Sequence, residues 1–134
     1  MLRKKVLVCI TPQSNSKRLI KRGAEIAAEA SGELHIVHVE RGKNIFSTDS
    51  AAKLLQELFG YAAEFSGIVH GLCGENITAT IVKFSREEMI TDIVLGEHSA
   101  NYKASSDNIT AMITEKLPYI NIQVLERDKG LEQE

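Results

Sequence analysis

The sequence predicts an α/β protein, a parallel five-stranded sheet covered by helices on both faces, and three observations predict it. Short apolar runs rich in β-branched residues recur along the chain, as strands buried on both faces require. Segments with apolar residues at helical spacing separate them, each long enough for a crossover. Turn formers and caps punctuate nearly every junction. The order is βαβαβαβαβ, and right-handed crossovers turn that order into a three-layer α/β/α sandwich.

Val6 to Ile10 is the first strand, closed by Thr11-Pro12. Ser14-Asn15-Ser16 offers cap oxygens to a helix whose Leu19, Ile20, Gly23, Ile26, Ala27 and Ala30 form one stripe, and Ser31-Gly32 ends it with glycine at the C-cap. Leu34 to Val39 is strand 2. Gly42 to Ser50 is a polar loop, with Ser47, Thr48, Asp49 or Ser50 as the next cap. Leu54, Leu55, Leu58, Tyr61, Ala62 and Phe65 mark helix 2, which stops near Gly67. Ile68 to Cys73 is a third strand diluted by His70 and Gly71. After the Gly74-Glu75-Asn76 turn, Ile77, Ile81, Phe84 and Ser85 line helix 3, reaching about Met89. Asp92 to Leu95 is strand 4. Helix 4 runs from about Ser105 to Leu117 with Ile109, Met112, Ile113 and Leu117 inward, and Pro118 stops it. Strand 5 is Ile120 to Leu125, and a charged, frayed tail runs from Arg127 to Glu134.

With 134 residues, 43% hydrophobic and 25% charged, the chain suits one globular domain, taken as 1–126. A net charge of -2 gives no reason to expect nucleic acid or an anionic membrane as partner. No segment approaches the roughly 18 to 20 apolar residues of a membrane span, and no secretory leader is legible, so a cytoplasmic location is expected. Cys9 and Cys73 fit no metal spacing and are expected to be free thiols. His35 and His38 are three apart on a strand and point to opposite faces, which, with His70, argues against a shared metal.

Ile93-Val94-Leu95-Gly96 running into a helix-opening loop is the kind of junction where phosphates are held, because N–H groups at a helix start face the ligand and the dipole favours an anion. Ser14 and Ser16 would donate to such a phosphate or cap helix 1. Lys17 and Arg18 sit in the first turn, where cations oppose the dipole unless an anion is near. Ser105, Ser106 and Thr110 offer hydroxyls at the start of helix 4, and His98 and Ser99 lie in the loop. No nucleophile elbow, HExxH or Walker A lysine loop occurs, so turnover is not expected, slow ATP hydrolysis being the residual enzymatic alternative.

Three passages carry a resemblance: Val6-Leu7-Val8-Cys9-Ile10 with Ser14, Ser16 and Arg18-Leu19-Ile20; Cys73-Gly74-Glu75-Asn76-Ile77; and Thr91-Asp92-Ile93-Val94-Leu95-Gly96. Together they resemble the universal stress protein family, of Rossmann-like, adenine-nucleotide α-hydrolase-like fold, and within it the domain embedded in KdpD-type potassium-responsive histidine kinases. The resemblance implies sheet order 3-2-1-4-5, with a crevice where the order reverses between strands 1 and 4. It implies an adenine-type ligand (ATP, AMP or cyclic di-AMP) with no required cofactor, a role in potassium or osmotic stress signalling, and a sensor kinase or other signalling protein as partner. It also implies a homodimer through strand 5. Taken with the reading of the residues themselves, the positions expected to contact the nucleotide are Thr11, Ser14, Ser16, His38, Gly96, His98, Ser99, Ser106, Ile109 and Thr110.

ATP-binding members typically carry Gly-x2-Gly-x9-Gly-Ser/Thr after strand 4. Laid on this chain from Gly96, the later glycines fall on Ser99 and Ile109 and the hydroxyl on Thr110, while the aspartate common at the end of strand 1 is Thr11. Side chains at Ser99 and Ile109 block the close backbone approach a triphosphate needs, so weak binding is expected. The alternative is a dimeric protein-interaction module that kept the fold and lost the phosphate loop. The opening methionine and charged tail fit a standalone chain, a domain cut from a larger kinase being the other possibility.

Overall fold

The computed structural model describes residues 3–11, 15–40, 49–96 and 103–125. Nine elements alternate: β1 Lys5–Cys9, α1 Ser16–Glu29, β2 Glu33–Glu40, α2 Asp49–Ala63, β3 Ile68–Cys73, α3 Ile77–Glu87, β4 Asp92–Gly96, α4 Lys103–Lys116 and β5 Asn121–Leu125. All pairings are parallel and the order is β3-β2-β1-β4-β5, as the resemblance implied. β3 and β5 are the outer strands.

Alternation along the strands divides the interior into two cores. Val6, Val8, Leu34, Ile36 and Val94 face α1 and α2, meeting Leu19, Ile20, Leu55, Leu58 and Ala62. Leu7, Val37, Val39, Ile93 and Leu95 face α3 and α4, meeting Ile81, Val82, Phe84, Ile113 and Leu117. Because β1 and β4 are central, both their faces are buried, which is why they read as unbroken apolar runs. Each fully buried Leu or Ile contributes about 2 kcal/mol relative to exposure.

Several sequence expectations need correction. Met112 is exposed: residues 109, 113 and 117 form a four-residue repeat facing the sheet, and position 112 falls at its margin. α2 ends at Ala63, and Phe65, expected on its inner stripe, is exposed with its ring edge on Tyr61. α3 ends at Glu87, short of Met89, which is 70% exposed. α4 begins at Lys103 rather than Ser105. The loop before Asp49 and the tail after Leu125 lie outside the described residues.

Helix 1 does not end as the glycine suggested. The left-handed residue is Ser31 (φ 52°), while Gly32 follows it and donates its N–H to Ala27 O at 2.7 Å. This is the six-to-one bond of a Schellman motif, with serine in the position usually given to glycine. α2 and α3 repeat the arrangement: Ser66 (φ 60°) precedes Gly67 N–H to Ala62 O, and Met89 (φ 59°) precedes Ile90 N–H to Ser85 O. Three successive helix-to-strand connections therefore turn on a non-glycine residue. At Gly32 itself the demand is for space, since a Cβ would run into the backbone of Lys4.

Candidate functional site

The sheet order reverses at β1, which has β2 on one side and β4 on the other. At such a reversal the connections leave the sheet in opposite directions and open a crevice at the carboxyl ends of the strands. Thr11 and Gly96 stand on its two sides, one just beyond β1 and one closing β4.

Thr11 is exposed just beyond β1. Ser16, opening α1, ties back to it: its hydroxyl donates to Thr11 O at 2.8 Å and accepts from Thr11 N–H at 3.4 Å. Ser16 is 2% exposed, so its hydroxyl serves this link. The expectation that a Ser14-Asn15-Ser16 side chain caps α1 does not hold for the two described residues. Asn15 occupies the cap position without a side-chain cap bond, and its Oδ1 accepts from Arg18 Nε at 2.9 Å. α1 thus starts beside the crevice with no acidic residue in its first turn. Lys17 Nζ lies 5.5 Å from the centre of the Tyr61 ring, a cation–π contact with α2. The two first-turn cations therefore have protein partners.

Gly96 lies close against α1. A Cβ there would stand 3.0 Å from Leu19 Cδ1, tighter than ordinary contact. Leu19 thus crowds a side chain at this position, and the same close approach leaves bare backbone at the lip of the crevice. Leu19 is a residue that periodicity assigned to the core without revealing its partner.

His38 sits towards the carboxyl end of β2, 4% exposed. Its Nδ1 is 3.1 Å from Ile10 O and its Nε2 2.9 Å from a Glu40 carboxylate oxygen. Both neighbours accept, so the ring satisfies them together only with a hydrogen on each nitrogen. Both nitrogens are engaged in joining β2 to the end of β1. On α4, Ile109 packs against the α3–α4 core, and Thr110 is partly buried, its carbonyl accepting from Thr114 Oγ1 at 2.9 Å. Ser14, His98 and Ser99 lie outside the described residues, as do the side chains of Ser105 and Ser106.

Structure thus gathers Thr11, Ser16 and Gly96 at the reversal, with His38 tied to the adjoining strand. His35 lies on the opposite face from His38, as alternation required, bonded to His70 and against Phe84. Among the described residues no group of three or more His, Cys, Asp or Glu is placed to hold a metal, and no helix is long and apolar enough to cross a membrane. Cys9 and Cys73 are free. A separate cavity of about 290 Å³, lined by Ala24, Ala28, Gly32, Phe65 and Ile68 among others, lies where the end of α1 meets the starts of β2 and β3, away from the crevice.

Comparison with known proteins agrees with the geometry. Residues 2–105 match the universal stress protein family. The sensor protein KdpD of Mycobacterium tuberculosis is 30% identical over 94 residues, 70% of this chain but 11% of that protein. A KdpD-type sensor protein of Synechocystis sp. is 27% identical over 123 residues, 90% of this chain and 33% of its own length. The chain therefore spans a third or less of these relatives. Among solved structures, a universal stress protein in complex with cAMP superposes with a TM-score of 0.70 at 16% identity, covering 96% of this chain and 100% of that one. The universal stress protein of Archaeoglobus fulgidus in complex with dAMP gives 0.64 at 18% identity, with coverage of 96% and 100%.

Proposed function

The chain belongs to the universal stress protein family, and from that premise we propose that it is a cytoplasmic signalling module binding an adenine-type nucleotide weakly in the crevice between Thr11 and Gly96. The observation that carries the reading is the reversal of strand order at β1, which sets an exposed Thr11, the start of α1 and the bare backbone of Gly96 around one opening. Two structures of the same fold hold cAMP and dAMP, which supports an adenine ligand. In this reading the module acts by binding rather than by turnover. Kinship with KdpD points to potassium or osmotic stress as the stimulus and to a sensor kinase as the partner. Self-association through β5, an outer strand, completes the reading.

A specific observation favours a second reading. Ser16, His38 and Gly96 each have a structural partner, in Thr11, in the β1–β2 junction and in Leu19. β5 also carries a 42% exposed Val124 on its face. A protein-interaction module that no longer takes a nucleotide would show these features.

Amide chemical-shift mapping with ATP, AMP and cyclic di-AMP on protein stripped of endogenous ligand separates the two. Saturable shifts at Thr11, Ser16, Lys17, Leu95 and Gly96 with one nucleotide support the sensor and name its signal. Unmoved spectra at millimolar concentration of all three overturn it in favour of the interaction module.

A further inference from the structure

On the α3–α4 face, away from the crevice, β2 and β3 bring two imidazoles together. His35 Nδ1 and His70 Nε2 are 3.1 Å apart. The rings are nearly parallel, at 15° with centres 5.3 Å apart, so the two nitrogens lie between the rings and meet edge to edge. Only one hydrogen fits there: one nitrogen donates and the other accepts. The second nitrogen of His35 is 3.0 Å from the Glu33 carboxylate, which accepts its hydrogen and holds the ring in place. Phe84 of α3 seats both rings edge to face, at 6.4 Å from His35 and 4.6 Å from His70.

The two histidines are not equally held. His35 is 3% exposed on a strand paired on both sides, whereas His70 is half-buried on an outer strand joined to the sheet through β2 alone. Its neighbours Ile68 and Val69 are 47% and 40% exposed, so little buried apolar surface retains that end of β3.

We propose that the His35–His70 bond is a proton-operated latch, closed while one hydrogen lies between the facing nitrogens and opened by a second, which releases the amino-terminal half of β3 from the sheet. The second hydrogen enters between the rings where His35 keeps both of its own, Nε2–H on Glu33 and Nδ1–H facing His70; a proton arriving on His70 Nε2 then sets N–H against N–H and two cations side by side. His70 is the ring that moves, because Glu33 and full burial hold His35.

The surrounding charges set the direction. Burial first, then the nearby His35, pushes His70 below its ordinary value of 6.5, and Glu88 at the end of α3 opposes them. Lys5 of β1 stands between Glu33 (3.9 Å) and Glu88 (4.0 Å). The His35 hydrogen bond, helped by Lys5 and Arg3, holds the Glu33 carboxyl below its ordinary value, so Glu33 stays an acceptor through the range in which His70 titrates. A histidine whose folded value is depressed contributes stability that is complete above its unfolded value and is lost as pH falls from about 6.5 towards the folded value.

The test follows imidazole ¹⁵N shifts and amide hydrogen exchange in the intact chain from pH 8 to pH 5, with exchange corrected for its intrinsic pH dependence. The expected result is that His70 titrates below 6.5 and that opening at Ile68, Val69 and His70 increases with it, by up to about tenfold per pH unit, while β1 amides stay protected. His70→Phe removes the step, and Glu88→Gln moves the His70 midpoint lower. Exchange at β3 that shows no change as His70 titrates would overturn the latch, and so would a step that persists in His70→Phe. The wild-type arm decides alone should a variant fold poorly.

Discussion

The Ser16 hydroxyl and the Thr11 carbonyl are 2.8 Å apart, and that bond ties the start of α1 to the residues just beyond β1. It fixes where Thr11 stands at the mouth of the crevice. Ser16→Ala leaves the Thr11 N–H and carbonyl without this partner and is expected to cost about 1–2 kcal/mol. Thermal unfolding should show a fall of roughly 4 °C or more in Tm. An unchanged Tm would mean that water replaces the hydroxyl at no cost and that Thr11 is not held by Ser16.

Ser66 is held at φ 60° to end α2, a conformation that costs a side-chain-bearing residue about 1–2 kcal/mol. Glycine removes that strain but gives the unfolded chain more freedom, so Ser66→Gly is expected to gain about 0.5–1 kcal/mol. Ser66→Ala, which keeps a Cβ, should gain nothing. Denaturant midpoints at constant m-value decide, and equal midpoints for the two variants would refute the account.

The same three helix ends show what was and was not legible in the sequence. Gly32 and Gly67 correctly announced that α1 and α2 stop, but the residue that turns left-handed is the serine before each, because a six-to-one bond counts from the helix and not from the glycine. β1, β2 and β4 were plain because burial on both faces leaves an unbroken apolar signature. Met112 and Phe65 were placed inward because a period gives the direction of a stripe and not its width or its end. At the crevice, topology alone brought Thr11 and Gly96 together. What the sequence hid were contacts that depend on register and approach: Leu19 beneath Gly96, Ile10 on His38, and His35 diagonal to His70 across two strands.

The two thiols should separate cleanly. Burial pushes the Cys9 thiol up to about 12, leaving it protonated at neutral pH, while Cys73 ends β3 in an exposed position. A thiol-specific disulfide reagent at pH 8 is expected to titrate Cys73 promptly in native protein and Cys9 only on unfolding. Two equally fast thiols would show that Cys9 opens to solvent in the native state.

Ser85 is fully buried on α3, and its hydroxyl has no hydrogen-bond partner among the described residues. Burying a hydroxyl unsatisfied costs about 1–3 kcal/mol, more than the packing its oxygen supplies. Ser85→Ala should therefore stabilise the fold by roughly 1 kcal/mol, read from denaturant unfolding. A loss of stability would reveal a bound water or a rotated hydroxyl bond that the alanine removes.

Gly96 is the position where packing and ligand readings meet, and a double-mutant cycle with Leu19 separates them. If the glycine exists because Leu19 Cδ1 would crowd a Cβ at 3.0 Å, Gly96→Ala overpacks the contact and costs about 1–3 kcal/mol. Leu19→Ala leaves a cavity and costs about 2–5 kcal/mol, but it also removes the crowding atom. In that background a methyl at position 96 should be nearly free, giving a favourable coupling of about 1 kcal/mol or more. Additive costs would show that Leu19 is not what excludes a side chain. The same double variant then informs the ligand reading: any loss of nucleotide shifts at Thr11 and Lys17 beyond that of Leu19→Ala alone belongs to position 96 and not to instability.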